Sequence, residues 1–284
     1  CPELKGKKAA DPLYSEKLPF LRNVVTVGFK MDGCLEWNEF MERSELVPSE
    51  EVRRLAALVK PDDVCNMQYT SGTTGLAKGV MLSEHNLTSM IYNGLRVATV
   101  YSRCLSVLPY HHTYEAVAGI LVSLHNHSCI CINENMKAVL KNLNLYRPDY
   151  MFVVPAILEL FYKKIWANAK EGKKDKLLKI MIPVSNFLLK FGIDLRKKLF
   201  SSIHNAFGGN FKSIMTGGAP VSPDLGDFFY SIGIPVVNGY GITECSPLIS
   251  GNREHFNDWR TGGMVVPCLD IKFEDIYVDF CICL

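Results

Sequence analysis

Residues 211–244 read FKSIMTGGAPVSPDLGDFFYSIGIPVVNGYGITE. The apolar run Phe211–Met215 predicts a strand that leads into the loop Thr216-Gly217-Gly218-Ala219-Pro220. Ser222 follows as a helix cap, with Pro223 at the first helical position, where a fixed φ and a missing N–H do no harm. The helix runs to about Gly233. Pro235–Asn238 predicts a second strand, which leads into Gly239-Tyr240-Gly241-Ile242-Thr243-Glu244. Strand, loop, helix, strand and loop in this order make a crossover unit. With both strands parallel in one sheet, the two loops emerge together at the carboxyl edge, where ligands bind in such sheets.

Towards the N-terminus the same alternation repeats. Val64–Thr70 reads as a strand, followed by a Gly/Thr-rich loop and a helix from Ser83 to Leu95. Cys104–Leu108, Ser128–Ile132 and Tyr150–Val154 read as strands. Tyr114–Leu124, Met136–Leu145 and Ala156–Ile165 read as the helices after them. Strands alternating with helices imply an α/β fold, with layered, mostly parallel sheets and flanking helices. The first sixty residues are less regular. They suggest a strand at Asn23–Phe29, a short helix at Trp37–Ser44, and a helix at Pro48–Leu58 with Ser49 as its cap. Pro61-Asp62-Asp63 reads as a turn, and Ile271–Leu284 is strand-like.

The chain has 284 residues, enough for one large domain or two smaller ones. Hydrophobic residues at 48% and charged residues at 21% are ordinary for a globular protein. A net charge of +2 gives nucleic-acid binding no support. No apolar run reaches the roughly 18 residues of a membrane span, and the start lacks a secretory pattern. The ten cysteines show no zinc spacing or disulfide framework. Cys129/Cys131 and Cys281/Cys283 have the spacing of alternating strand positions. Reduced cysteines packed as small apolar groups point to a cytoplasmic protein. Between Lys163 and Lys198, eleven Lys and Arg face only Glu171, Asp175 and Asp194, with apolar residues interleaved. Two readings stay open for residues 163–198: a helix pair resting on an anionic membrane surface, or the solvated side of ordinary surface helices.

The segment that carries most chemistry is Tyr69-Thr70-Ser71-Gly72-Thr73-Thr74-Gly75-Leu76-Ala77-Lys78-Gly79. Its glycines let backbone N–H groups approach a ligand closely. The hydroxyls of Thr70, Ser71, Thr73 and Thr74 can donate to phosphate oxygens, and Lys78 adds a mobile positive charge. Together they describe a polyphosphate cradle. The Walker pattern is excluded, because Ala77 precedes Lys78 and Gly79 follows it. The Gly-x-Gly-x-x-Gly dinucleotide pattern is absent as well.

Residues 69–86 (YTSGTTGLAKGVMLSEHN) resemble the phosphate-binding signature of the acyl-adenylate-forming, or AMP-binding, superfamily, with Ala77 standing where a proline is usual. Leu108–Glu115 (LPYHHTYE), Thr216–Pro220 (TGGAP) and Gly239–Glu244 (GYGITE) resemble three further segments of that superfamily, in the right order. The resemblance covers roughly residues 60–267. It implies that Thr70, Ser71, Gly72, Thr73, Thr74, Gly75 and Lys78 hold the β- and γ-phosphates of ATP. Gly218, Ala219 and Pro220 would lie along the adenine, with Tyr240, between Gly239 and Gly241, stacked on its face. Thr243 would contact the α-phosphate, and Thr74 and Glu244 would be the magnesium-side groups. His112 aligns with the acyl-side histidine; a metal site shared with His111, or a plain polar loop, remains the alternative for this pair.

Glu115 and the Lys-rich stretch before TGGAP look like the long-chain fatty acyl-CoA synthetase branch. The implied activity is ATP-dependent conversion of a fatty acid to acyl-adenylate, then to acyl-CoA with CoA as co-substrate. A non-catalytic nucleotide-binding remnant, or a ligase for another carboxylic acid, are the alternatives. By the same resemblance, residues 1–262 form a large AMP-binding domain that is incomplete at its N-terminus. Residues 263–284 would open a small β-barrel subdomain, and the lysine-bearing C-terminal domain lies outside the chain. The expectation is therefore a fragment that does not turn over alone.

Overall fold

Alternate residues along one parallel sheet feed two separate cores, and this division positions the site. The computed structural model describes residues 1–70, 77–273 and 280–283. The chain falls into two compact units, Cys1–Lys60 and Pro61–Leu284.

In the first unit, β1 (Val25–Thr26) and β2 (Leu35–Glu36) form a short parallel pair, followed by α1 (Trp37–Glu42) and α2 (Ser49–Ala56). Leu4, Leu13 and Cys34 form its small core. The strand expected over Asn23–Phe29 shrinks to two residues, because its partner strand offers only two. Ser49 is the first helical residue of α2 and not its cap. The carbonyl of Pro48 already accepts from Glu51 N–H at 3.0 Å, so the helix begins one residue earlier than the polar cap signal suggests.

The second unit opens with β3 (Val64–Thr70), β4 (Lys78–Ser83) and α3 (Glu84–Gly94). Then come β5 (Arg103–Ser106), a π-helix over Tyr114–Val122 that continues as α4 (Ser123–His125), β6 (Cys129–Ile132), α5 (Val139–Tyr146) and β7 (Tyr150–Val153). Four helices follow: α6 (Pro155–Glu171), α7 (Asp175–Lys190), α8 (Arg196–Leu199) and α9 (Ser201–Ala206). The unit continues with β8 (Ser213–Thr216), α10 (Pro223–Ser231), β9 (Val236–Gly241), β10 (Leu248–Gly251), β11 (Met264–Val265), β12 (Asp270–Phe273) and β13 (Phe280–Cys283). The main sheet has the order β11-β10-β9-β8-β7-β5-β6. Five strands, β9 to β6 in that order, are mutually parallel, and β10 and β11 extend the edge antiparallel. This is the α/β architecture expected from the alternation of elements.

One expected strand lies elsewhere. β3 is not part of the parallel sheet: it pairs antiparallel with β4 in a two-stranded ribbon, with Thr70 opposite Lys78. The segment Lys78–Ser83, expected as part of the loop before the helix cap at Ser83, is itself a strand. That cap is present, with Ser83 Oγ accepting from Asn86 N–H at 3.2 Å.

Along the parallel strands the residues divide by parity. Leu105, Met151, Val153, Ile214 and Val236 point to a large core filled by Val139, Leu143, Ile157, Leu158, Phe161, Leu178, Leu225, Phe228 and Phe229 from the helices. Their neighbours Cys104, Tyr150, Phe152, Met215 and Val237 point the other way, into a much smaller cluster with Tyr114 and Ala118. Strand residues alternate between faces with a period of two, so this split follows from backbone geometry. Cys129 and Cys131, two apart on β6, share one face of the sheet; Cys131 is buried, Cys129 is exposed, and neither forms a disulfide.

Candidate functional site

On the side of the smaller cluster the sheet leaves a cavity of about 360 Å³. Its wall collects the carboxyl ends of two adjacent parallel strands: Thr216, the last residue of β8, with Gly217 and Gly218 after it, and Gly239, Tyr240 and Gly241 at the end of β9 with Ile242 and Thr243 after them. β8 and β9 are paired in register, with Thr216 opposite Asn238, so both loops leave the sheet at one edge. Two glycines are needed here. Gly218 has φ +80°, in the left-handed region. A Cβ on Gly241 would lie 1.9 Å from the Pro247 carbonyl oxygen, so only glycine allows the two backbones to come this close.

The opposite wall is built by α3 and the π-helix, through Met90, Gly94, Val117, Ala118 and Val122, with Phe152 on the sheet side. One end of the cavity is therefore apolar and the other carries glycines and polar groups. Tyr114 Oη donates to the Met215 carbonyl at 3.2 Å and ties the π-helix to β8. Its ring meets Phe152 edge-on at 5.8 Å.

His112 lies in the wall between these two ends. Its Nδ1 accepts from the Tyr114 backbone N–H at 3.1 Å. In the neutral ring the proton then sits on Nε2, which remains available as a donor to a carboxylate. His111 is not in the cavity wall; its carbonyl accepts a hydrogen bond from Gln68 Nε2 of β3. That bond ties the hairpin to the segment that presents His112.

The remaining expected residues distribute as follows. Ala219 and Pro220 are exposed and lie outside the cavity wall. Glu244 is also exposed and outside it, in the 3₁₀ turn Thr243–Cys245. This turn packs against β4, the strand that starts at Lys78. Lys78 is exposed beside Thr70 at the mouth of the hairpin. Ser71, Gly72, Thr73, Thr74 and Gly75 lie outside the described residues. Thr70, Lys78, Thr243 and Glu244 thus belong to elements that adjoin, and Gly218, Gly239, Tyr240, Gly241, Thr243 and His112 share one cavity.

Three polar groups of the wall were not singled out from sequence. Thr113 Oγ1, Thr216 Oγ1 and Asn238 Oδ1 are buried without a hydrogen-bond partner, in residues that line the cavity. Other unpartnered atoms exist, Asn142 Oδ1 and Trp166 Nε1 among them; these three differ in bordering a space that a ligand can fill. An unpaired buried polar atom costs about 1–3 kcal/mol, so a ligand that supplies partners recovers that cost. The amide of Asn252 donates to the carbonyls of Asn238 at 3.0 Å and Thr261 at 2.9 Å, bracing the end of β9.

Glu115 is the largest departure from what its residue type suggests. It is 0% exposed. One carboxyl oxygen is hydrogen-bonded to Ser106 Oγ at the end of β5, and the other has no partner. The backbone of Leu108 also bonds to the carboxyl. A Cβ on Gly119, one turn on, would stand 2.8 Å from the carboxyl carbon, so the glycine makes room for it. Burial pushes the group up to about 7 from 4.5. The carboxyl thus clamps the start of the segment that carries His112. A glutamate followed four residues later by glycine in an otherwise apolar helix was the available signal.

The model of the family described as AMP-binding enzyme matches residues 13–278, and the chain belongs to that family. It is 30% identical over 230 residues to long-chain-fatty-acid–CoA ligase 6 of Mus musculus, covering 76% of this chain and 33% of that protein. It is 28% identical over 282 residues to the long-chain-fatty-acid–CoA ligase FadD15 of Mycobacterium bovis, covering 92% of this chain and 46% of that one. The chain thus spans less than half the length of these relatives. Among solved structures, the anthranilate CoA ligase AuaEII in complex with anthranoyl-AMP superposes with a TM-score of 0.62 at 14% identity, over 91% of this chain and 43% of that one. Among the described residues no helix is long and apolar enough to cross a membrane.

Proposed function

We propose that this chain is the nucleotide- and acyl-binding part of a ligase that activates a long-chain fatty acid with ATP and passes the acyl group to CoA. In the first step the fatty carboxylate attacks the α-phosphorus of ATP, and pyrophosphate leaves. In the second the CoA thiol displaces AMP from the acyl-adenylate. No side-chain nucleophile is needed, so the protein's work is positioning and charge stabilisation.

The observation that carries this reading is the single cavity that joins His112 and two glycine-bearing strand ends to an apolar end. Gly218, Ala219 and Pro220 would lie along the adenine and Tyr240 against its face. Thr243 would contact the α-phosphate, close to where bonds change. His112, with Nε2–H as donor, would orient the attacking carboxylate. Met90, Val117, Val122 and Phe152 would receive the acyl chain and keep water from the activated carbonyl. Thr70 to Gly75 and Lys78 would hold the β- and γ-phosphates. Glu244 fits a magnesium-side role: it offers a hard, exposed carboxylate, and no salt bridge among the described residues engages it. Thr74 would be its companion. When bound, Mg²⁺ would offset phosphate charge as pyrophosphate leaves. Residues 1–262 would belong to the large AMP-binding domain, and residues 263–284 to the start of a small β-barrel subdomain.

The long-chain preference is supported by the fatty-acid ligases among the relatives and by the apolar wall. Its test is calorimetric binding of non-hydrolysable acyl-sulfamoyl-adenosines to this chain. The palmitoyl analogue should bind at least about tenfold more tightly than the acetyl analogue, since each buried methylene contributes roughly 0.8 kcal/mol. Equal affinities would remove the long-chain assignment. A folded chain that binds neither analogue would remove the adenylate site.

A further inference from the structure

We propose that the outer face of α7 is a docking surface for an anionic membrane. Leu177, Ile180, Val184, Phe187 and Phe191 follow one another at intervals of three, four, three and four, which places them in a single stripe along the helix. All five are exposed, from 47% at Val184 to 68% at Phe191. The stripe is not the side that holds α7 to the protein. That side is Leu178, buried in the large core, with Met181 and Ile182 packed against the same core. An amphipathic helix needs one apolar face to fold onto its domain; α7 has two.

The stripe is ordered to its end. The rings of Phe187 and Phe191 meet edge-on at 5.0 Å, so they already form a pair at the surface. Gly192, at φ +77°, closes the helix. Its N–H donates to the Leu189 carbonyl at 3.0 Å, and Ile193 N–H donates to Leu188 at 3.1 Å. This cap turns the chain so that Ile193, 47% exposed, follows directly on the aromatic pair.

Charge selects the occupant. Lys176, Lys179 and Lys190 are exposed along one border of the stripe. No salt bridge among the described residues engages them. No acidic residue occurs between Lys176 and Ile193, and the wider stretch Lys163–Lys198 holds eleven basic residues against three acidic ones. An apolar stripe bordered by lysines meets both requirements of reversible attachment to an anionic lipid surface, insertion of side chains below the headgroups and attraction to their charge. A second copy of the chain is a poorer fit. The three-four spacing suits helix pairing, but it would bring the lysine border of one copy near that of the other with no carboxylate between them. The sequence left this stretch divided between a membrane contact and a solvated surface; the exposed stripe favours the first. The inference does not rest on the ligase reading.

The test is co-sedimentation of the intact chain with extruded vesicles, of phosphatidylcholine alone and of phosphatidylcholine with phosphatidylserine at two to one. Binding to the anionic vesicles should be at least tenfold stronger and should weaken as salt is raised. The double variant Phe187→Ser/Phe191→Ser should lower it at least tenfold, with far-ultraviolet circular dichroism unchanged because both rings are exposed. The triple variant Lys176→Glu/Lys179→Glu/Lys190→Glu should abolish the preference for anionic lipid. The proposal fails if the intact chain binds neither vesicle, or if the phenylalanine variant binds as well as the original. It also fails if ultracentrifugation shows a dimer that the phenylalanine variant splits while vesicles are ignored, which would assign the stripe to a second copy.

Discussion

The two faces of the parallel sheet receive neighbouring residues of the same strands, yet they serve different ends. On one face Met151, Val153, Ile214 and Val236 meet a continuous cover of helices, closed by aromatic contacts such as Phe161 with Phe207 at 5.1 Å and Tyr162 with Phe228 at 4.7 Å. On the other, Phe152, Met215 and Val237 border the cavity, and α3 and the π-helix stand across it. Burial of apolar surface stabilises by about 25 cal/mol per Å², so the closed face supplies most of the stability. The open face keeps space, glycines and unpartnered polar atoms where a ligand can use them. The π-helix belongs to the open side, and its insertion of Glu115 beneath Gly119 is a local irregularity of the kind found at functional sites.

The largest expected effect tests this contrast directly. Phe229, 0% exposed in the closed core, should lose about 3–5 kcal/mol of stability in Phe229→Ala, read by denaturant unfolding. Phe152→Ala should cost less, because its ring already borders open space, but it should weaken binding of the palmitoyl analogue. Equal stability losses with undiminished binding in Phe152→Ala would break the comparison.

Glu115 sharpens it next. With an ordinary value of 4.5 and a folded value of about 7, the folded state holds its proton more strongly than the unfolded chain. Stability at Glu115 is therefore fully present below pH 4.5 and declines as pH rises towards 7. The decline amounts to up to about 3 kcal/mol at 1.36 kcal/mol per pKa unit. Glu115→Gln stays neutral, so the difference in stability between variant and original should shift in favour of the variant across that window. A difference that does not vary with pH would show that burial does not hold this carboxyl above its ordinary value. The smallest effect is a cap on the closed side. Ser222 Oγ accepts from Leu225 N–H at 3.2 Å, and Ser222→Ala should cost about 1 kcal/mol without changing affinity for the analogue.

Much of the site could be read in advance, because its glycine-bearing segments depend on local chemistry. TGGAP and GYGITE each follow an apolar strand, and both needed glycine for close approach or left-handed backbone, as Gly218 and Gly241 do. Other features were hidden for physical reasons. Lys78–Ser83 is short and sits between a glycine-rich loop and a strong helix cap, so the strand is recognised only once β3 pairs with it. An apolar run such as Tyr114–Val122 signals a helix but not the wider π turn, because apolar residues fall on nearly every side and mark no period that separates the two. The burial of Glu115 is a matter of which side of that helix faces β5.

By itself, the sequence determined the alternation of strands and helices, the parallel sheet, and the place of two glycine-bearing loops at its edge. These depend on local preferences and on residue periods that act over a few neighbours. Only the tertiary structure decided that β3 leaves the main sheet for a hairpin, that the cavity lies on the smaller-core side, and that α7 keeps a second apolar face uncovered. Those outcomes depend on which surfaces meet across long stretches of chain, and no local pattern encodes the presence or absence of a distant partner.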